Sequence, residues 1–345
     1  MSWYIVLAAL AIQLLAHLLM PLNLRFSRLH GILAQPGERR IHESSIPEAG
    51  GLSFALPIIL TQLIFAFVFR HIEMGRLFFE LATVGVLALT FGLLDDRFEV
   101  KPWYKFLWQI ALGMIMYVIG YRVLFLTNPL GSHFILGWMS FPVTVLWYVI
   151  VINAINFIDG LDGLATGISA IVSIVLLVVG IREQNFLVIS LSAFLLSGTL
   201  AFLFYNFHPA RIFLGETGTQ FIALNIAAIS TAGSAQFKGI TSMTMMIPLV
   251  ALGIPMLDVV LAVVRRIRFG NIFTADKLHI HHAMLDFGLS QRTIALITYF
   301  ITLLFGLIAI GFSYTDKKIL FTLLMTLLAL IVIIAYILMR RERNK

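Results

Sequence analysis

The sequence predicts an all-α, polytopic integral membrane protein of about eleven transmembrane helices, with its amino terminus outside and its carboxyl terminus cytoplasmic. Three observations carry this reading. Of the 345 residues 60% are hydrophobic and 12% charged, where an ordinary soluble domain has about 45–50% and roughly 25%. Apolar stretches of about 18 to 22 residues recur along the whole length, each long enough as a helix to cross a hydrocarbon core of about 30 Å. The alternation of apolar and polar side chains over about ten residues that a membrane barrel requires is missing.

The stretches run from about Trp3 to Leu22, Leu52 to Phe69, Leu77 to Leu94, Trp103 to Gly120, Phe141 to Ile158, Leu164 to Ile181, Phe186 to Tyr205, Thr217 to Ala235, Met243 to Val264, Ile294 to Phe312 and Ile319 to Met339. An odd number of spans puts the termini on opposite sides. With the amino end outside, the inner loops and tail hold Arg25, Arg28, Arg39, Arg40, Arg97, Lys101, Lys105, Arg211, Arg265, Arg266, Arg268, Lys277, Arg292, Arg340, Arg341, Arg343 and Lys345. These are seventeen of the 24 Lys and Arg, and the opposite orientation would invert the ratio.

The net charge of +7 fits this asymmetry. Because the cations are divided among short loops and form no continuous stripe, nucleic acid is not an expected partner. The first span has no basic segment before it and no small-residue cleavage site after it, so it is expected to be retained. The absence of cysteine excludes disulfides, thiolate metal sites and a cysteine nucleophile. No long linker, low-complexity tract or repeat interrupts residues 1–345, which read as one membrane domain.

The loops carry the chemistry, and they do so on one side. The longest outer loop, Tyr121 to Ser140, is weakly polar and broken by Asn128, Pro129 and Gly131. The inner segments read GILAQPGERRIHESSIPEAGG, LLDDR, NAINFIDGLDGLA, YNFHPARIFLGETGT and LDVVLAVVRRIRFGNIFTADKLHIHHAML. They come from distant parts of the chain, and a set of merely structural loops has no reason to gather on one face.

Asp95 and Asp96 end the third span. Adjacent residues on a helix diverge by about 100°, so the two carboxylates do different jobs. Acids at a helix C-terminus oppose its dipole, which suggests a purpose beyond solvation. Asn153, Asn156, Asp159 and Asp162 recur every three residues, and they can face one point only if the helix ends or bends, as Gly160 and Gly163 permit. An unpaired charge near mid-bilayer costs about 2.5–3.5 kcal/mol, so this run implies a hydrated cavity or an ion rather than simple capping.

Glu216 lies between Gly215 and Gly218 at the start of the eighth span. Oxygen ligands from carboxylates and an amide suit a hard cation such as Mg²⁺, with Mn²⁺ the alternative. The eighth span contains Gln220, Asn225, Ser230 and Thr231. It is too polar and small to face lipid, and is expected at the centre of the bundle. His279, His281 and His282 stand with Asp276, Lys277 and the cluster Arg265, Arg266 and Arg268. Imidazoles suit a transition metal, but the surrounding cations favour phosphate. Asp258, about 10 Å below the end of its helix, either bridges helices or serves the site.

LLDDR, NAINFIDGLDGLA, FLGETGT, PMLDVVLAVVRR and FTADKLHIHHAML, in this order and on this side, resemble the polyprenyl-phosphate N-acetylhexosamine-1-phosphate transferases, most closely the WecA and TagO branch. The resemblance covers nearly the whole chain. It implies transfer of N-acetylglucosamine 1-phosphate from UDP-N-acetylglucosamine to undecaprenyl phosphate at the cytoplasmic face of a bacterial inner membrane, starting a cell-envelope polymer, with Mg²⁺ (or Mn²⁺) as cofactor and a homodimer as the assembly to test. It further implies metal binding by Glu216 with Asn156, uracil stacking by Phe213, and nucleotide contact by Asp162. The diphosphate falls to His279, His281 and His282, and substrate phosphate to Lys105 and Arg265. Asp95 and Asp96 would orient or deprotonate the attacking phosphate, with Asp159 and Asn153 completing the centre.

The chain departs from the family at two places, with Glu216 where Asp is common and Gln35 where Asp is frequent. The extra methylene at 216 moves a carboxylate by more than 1 Å, a misplacement that can cost roughly a hundredfold in rate. Two other readings compete. A transporter would place its acids at mid-membrane within repeated halves, unlike this chain. A sister enzyme transferring phospho-N-acetylmuramyl-pentapeptide differs in sugar choice, where HIHH and AMLDFGLSQR resemble the N-acetylglucosamine branch more.

Overall fold

The computed structural model describes residues 3–34, 45–126, 134–236, 253, 284–285, 287–311 and 319–331. Its helices are α1 (Trp3–Leu29), α2 (Gly51–Val68), α3 (Glu73–Phe98), α4 (Pro102–Val118), α5 (Ser140–Ile158), α6 (Leu164–Arg182), α7 (Phe186–Asn206), α8 (Gly215–Gln236) and α9 (Gln291–Gly311). The apolar helix Ile319–Ile331 follows as α10. Two short antiparallel pairs complete the described structure: β1 (Leu33–Ala34) with β2 (Ile46–Pro47), and β3 (Phe125–Leu126) with β4 (Phe134–Ile135).

Apart from Met243 to Val264, of which only Gly253 is described, each expected span meets one of these helices, the last of them over its described part, Ile319–Ile331. Seven described helices are long and apolar enough to cross a membrane: α1, α2, α3, α5 with the preceding 3-10 turn, α6, α7 and α9. Two helices outrun their apolar stretches. α1 continues to Leu29, and α3 begins at Glu73 and ends at Phe98. The terminal turn of α3 therefore carries Asp95 and Asp96 as helical residues, and Glu99 closes it in a left-handed conformation with its N–H bonded to the Asp95 carbonyl at 2.9 Å.

Apolar residues surround most of these helices, so size and polarity sort the faces. On α1 the buried positions are Ile5, Ile12, Ala16, Met20, Asn23 and Ser27, at helical spacing. Leu7, Leu10, Leu14, Leu18 and Leu22 stay exposed, as a lipid-facing stripe requires. Short side chains inside let backbones approach closely, because in lipid the association of helices depends on packing and hydrogen bonds. Gly92 of α3 shows this: a Cβ there would lie 2.6 Å from the Glu216 carbonyl oxygen and from the Thr217 Cα.

α8 sits at the centre, as its composition predicts. Residues Thr217 to Ala232 are buried throughout, and the polar side chains among them meet partners on neighbouring helices. Trp108 Nε1 of α4 donates to Gln220 Oε1 at 3.0 Å, and Gln62 Nε2 of α2 donates to Asn225 Oδ1 at 3.2 Å. Trp147 Nε1 of α5 donates to Ser230 Oγ at 2.9 Å, and the Tyr148 hydroxyl pairs with Thr231 Oγ1 at 3.2 Å. These bonds are made where water is absent, which fixes the rotation and depth of α8.

Candidate active site

The ends of α1, α3, α5 and α7 and the starts of α2, α4, α6 and α8 meet at one end of the bundle. Backbone bonds tie them together. Phe213 N donates to the Pro47 carbonyl at 2.9 Å, Gly50 N to the Phe213 carbonyl at 3.0 Å, and Gly51 N to the Leu214 carbonyl at 3.2 Å. From α1, Asn23 Nδ2 donates to the Ala49 carbonyl at 3.0 Å and Ser27 Oγ to the Glu48 carbonyl at 2.7 Å. The segment before α8, which carries Phe213 and Glu216, is therefore clamped between β2 and the core.

Asp95 and Asp96 diverge as the helical angle demands. Asp95, almost fully buried, turns one oxygen to the Val100 N–H at 2.9 Å and the other to Lys105 Nζ at 2.7 Å. The same ammonium lies 2.8 Å from Glu216 Oε1, so Lys105 of α4 joins a carboxylate of α3 to one of α8. Asp96 faces the start of α8. Its Oδ1 accepts the Glu216 N–H at 2.6 Å, and its Oδ2 accepts the Thr217 N–H at 3.1 Å together with the Thr217 hydroxyl. A helix start leaves N–H groups without intrahelical partners, and Asp96 supplies acceptors from another helix.

The four-membered run on α5 resolves as its glycines allow. α5 ends at Ile158, and Asp159 follows as its cap, with its N–H bonded to the Asn156 carbonyl at 3.2 Å. Gly163, at φ +74°, turns the chain into α6. Burial pushes the Asp159 carboxyl well above the ordinary carboxylate range, and the charges of Glu216, Asp96, Glu48 and Asp162 push it further. Asn153 Nδ2 donates to Gln109 Oε1 at 2.6 Å and to the Val149 carbonyl at 2.8 Å, which binds α5 to α4. Asp162 Oδ2 accepts the Ala210 N–H at 3.1 Å and meets His208 Nδ1 at 2.7 Å, holding the α5–α6 turn to the segment before α8.

The structure thus gathers Asp95, Asp96, Lys105, Asp159, Asp162, Phe213 and Glu216 at one end, with Asn153 and Asn156 on the last two turns of α5 beneath them. Gln35, Asp258, Arg265, His279, His281 and His282 lie outside the described residues. Sequence reasoning passed over Glu48, Thr217 and His208 as site residues. His208 stood in the quoted YNFHPAR segment, a single imidazole before a proline, but nothing in its spacing pointed to Asp162.

The described residues contain no ready three-ligand cage of His, Asp or Glu. The donor set nonetheless suits a hard cation. All of its acids offer oxygen, several repel one another around Asp159, and Mg²⁺ commonly takes only one or two carboxylates with substrate phosphates and water.

A polytopic helical membrane protein with an acid-rich centre at one end of its bundle is the class that fold and site define. A family model described as glycosyl transferase family 4 matches residues 77–234, from α3 to α8, and so includes every acid of the centre except Glu48. The chain is 34% identical over 309 residues to a probable undecaprenyl-phosphate N-acetylglucosaminyl 1-phosphate transferase of Bacillus subtilis, covering 89% of this chain and 84% of the relative. It is 32% identical over 321 residues to a decaprenyl-phosphate N-acetylglucosaminephosphotransferase of Mycobacterium tuberculosis, covering 84% and 77%. A phospho-N-acetylmuramoyl-pentapeptide-transferase of Halalkalibacterium halodurans is 28% identical over 286 residues. The chain belongs to the family of polyprenyl-phosphate N-acetylglucosamine 1-phosphate transferases.

Proposed function

We propose that this chain transfers N-acetylglucosamine 1-phosphate from UDP-N-acetylglucosamine to undecaprenyl phosphate, giving undecaprenyl-diphospho-N-acetylglucosamine and UMP. The observation that carries the proposal is the meeting of Asp95, Lys105, Glu216 and Asp159, from four separate helices or their ends, at one end of a membrane bundle. A nucleotide sugar in water and a phosphate on a membrane lipid can meet only at such a boundary. The excess of Lys and Arg in the loops at that end supports a cytoplasmic orientation, with the amino terminus outside, and a bacterial inner membrane is the membrane this reading expects.

In the reaction, an oxygen of the lipid phosphate attacks the β-phosphorus of the nucleotide sugar. The bond from that phosphorus to the oxygen bridging the two phosphates breaks, and UMP leaves with the electron pair. The sugar's anomeric bond is untouched. Both reactants are anionic, so the protein's task is to neutralise charge and hold the groups in line. Lys105 supplies an ammonium within the centre, and Asp96 fixes the start of α8 so that Glu216 and Phe213 keep their places. Glu216, with Asn156, would hold Mg²⁺, which when bound neutralises charge on the diphosphate. The lipid phosphate is already largely ionised near neutral pH, so no general base is needed, and Asp95 contributes by holding Lys105 within the centre.

The test is direct. Purified protein in detergent is offered labelled UDP-N-acetylglucosamine and undecaprenyl phosphate, with and without Mg²⁺, and in parallel UDP-N-acetylmuramyl-pentapeptide. Labelled lipid and UMP from the first donor, dependent on Mg²⁺, are expected. Product only from the second donor would replace this reading with that of the sister enzyme.

A further inference from the structure

Lys105 occupies an unusual position for a residue expected to receive phosphate. It stands in the first turn of α4, and its ammonium is already committed to two carboxylates, at 2.7 Å from Asp95 Oδ2 and 2.8 Å from Glu216 Oε1. Asp95 is the fixed partner, because its other oxygen is bonded to the Val100 N–H and its side chain is only 1% exposed. Glu216 is the adjustable one. Its side chain is 20% exposed, and among the described residues its Oε2 meets the Thr219 hydroxyl at 3.4 Å. Lys105 itself is 27% exposed, so its flexible stem has an open side into which it can swing.

We propose that Lys105 is the resident counter-ion of this centre: without a divalent cation its ammonium is shared between Asp95 and Glu216, and cation binding at Glu216 releases it toward the anionic diphosphate of the substrate. The inference rests on Glu216 being a cation ligand. A divalent cation on the Glu216 carboxylate competes with the Lys105 ammonium, because two positive charges held on one carboxylate repel at short range. Withdrawal of Lys105 relieves that repulsion. Its withdrawal supplies a mobile positive charge beside the metal site, where an incoming diphosphate needs one.

The length of residue 216 is part of the device. A glutamate reaches one methylene further than an aspartate, about 1.5 Å along the bond, and at 2.8 Å the present contact has no slack to lose. An aspartate at 216 would leave the ammonium on Asp95 alone. In this chain the counter-ion is therefore held by both acids, and a cation must compete for the longer of the two.

The experiment uses the full-length protein in detergent, with Mn²⁺ as the probe followed by its paramagnetic signal, together with amine acylation of Lys105 read by mass spectrometry. Lys105→Met is expected to bind Mn²⁺ roughly tenfold more tightly than wild type, as removal of one nearby cation requires, whereas Lys105→Arg keeps the charge and stays near wild type. In the wild-type protein, saturating Mn²⁺ is expected to raise the acylation rate of Lys105 severalfold.

Equal, weaker or undetectable Mn²⁺ binding in Lys105→Met overturns the proposal, as does acylation indifferent to Mn²⁺. Should Lys105→Met fail to fold, the labelling of the wild type decides alone. Unaltered Mn²⁺ affinity in Glu216→Ala would instead remove Glu216 from the cation site, a failure of the underlying reading that this arm detects separately.

Discussion

Asp96→Ala is expected to damage stability before it damages chemistry. The carboxylate accepts the backbone N–H groups of Glu216 and Thr217 and the Thr217 hydroxyl, and all three donors sit at the start of the buried helix α8. Loss of a cap costs about 0.5–2 kcal/mol, and each buried donor left unpaired costs about 1–3 kcal/mol. Since water reaches part of this region, the expected total is about 3–5 kcal/mol, which corresponds to a Tm lowered by roughly 5–10 °C. Asp96→Asn keeps one acceptor oxygen and should lose about half as much. The assay is thermal unfolding of the purified variants in detergent, followed by tryptophan fluorescence, alongside turnover at a temperature where each is folded. A Tm for Asp96→Ala within 1 °C of wild type, with kcat greatly reduced, would refute the capping argument and leave Asp96 as a group acting on substrate.

Three further outcomes are expected. Glu216→Asp should preserve or raise Mg²⁺-dependent turnover, measured as UMP release, while Glu216→Ala should abolish it; full activity in the alanine variant would exclude Glu216 from cation binding. Gly92→Val brings side-chain atoms into backbone that a Cβ alone would already meet at 2.6 Å, so folded, monodisperse protein should be largely lost on size exclusion. For Asp159, whose carboxyl is pushed up from 3.8 by burial and then by neighbouring acids, the folded protein holds its proton more tightly than the unfolded chain. The associated stability is complete below about pH 3.8 and declines as pH rises through the raised value. Asp159→Asn should therefore flatten the fall of Tm with rising pH, and an unchanged profile would contradict the assignment.

The positions of the helices were legible because length and apolarity decide them locally, and each expected span within the described residues met a helix. The central place of α8 was legible for the same reason, since Gln220, Asn225, Ser230 and Thr231 cannot face hydrocarbon. The gathering of acids at one end followed from the sidedness of the loops, and the 100° between Asp95 and Asp96 foretold that they would part. Their partners were not legible. The Lys105–Glu216 contact joins residues 111 apart in sequence, and Asp162 meets His208 across 46. Helical period carries no information about which side chain of another helix stands opposite. It gave no sign, either, that Asp96 would spend both oxygens on the backbone of α8, because a cap supplied from a distant helix leaves no signature beside the helix it closes.

The polar row along α8 bears on how the protein is made. Its four partnered side chains find hydrogen-bond partners on α2, α4 and α5, all earlier in the chain. A segment so burdened is a poor candidate for entering lipid by itself, and its insertion is favoured only once those earlier helices stand ready to receive it. Glu216 heads that segment, so the acid centre comes into being as α8 docks, and a chain whose receiving helices are faulty forfeits its chemistry and its place in the bilayer together.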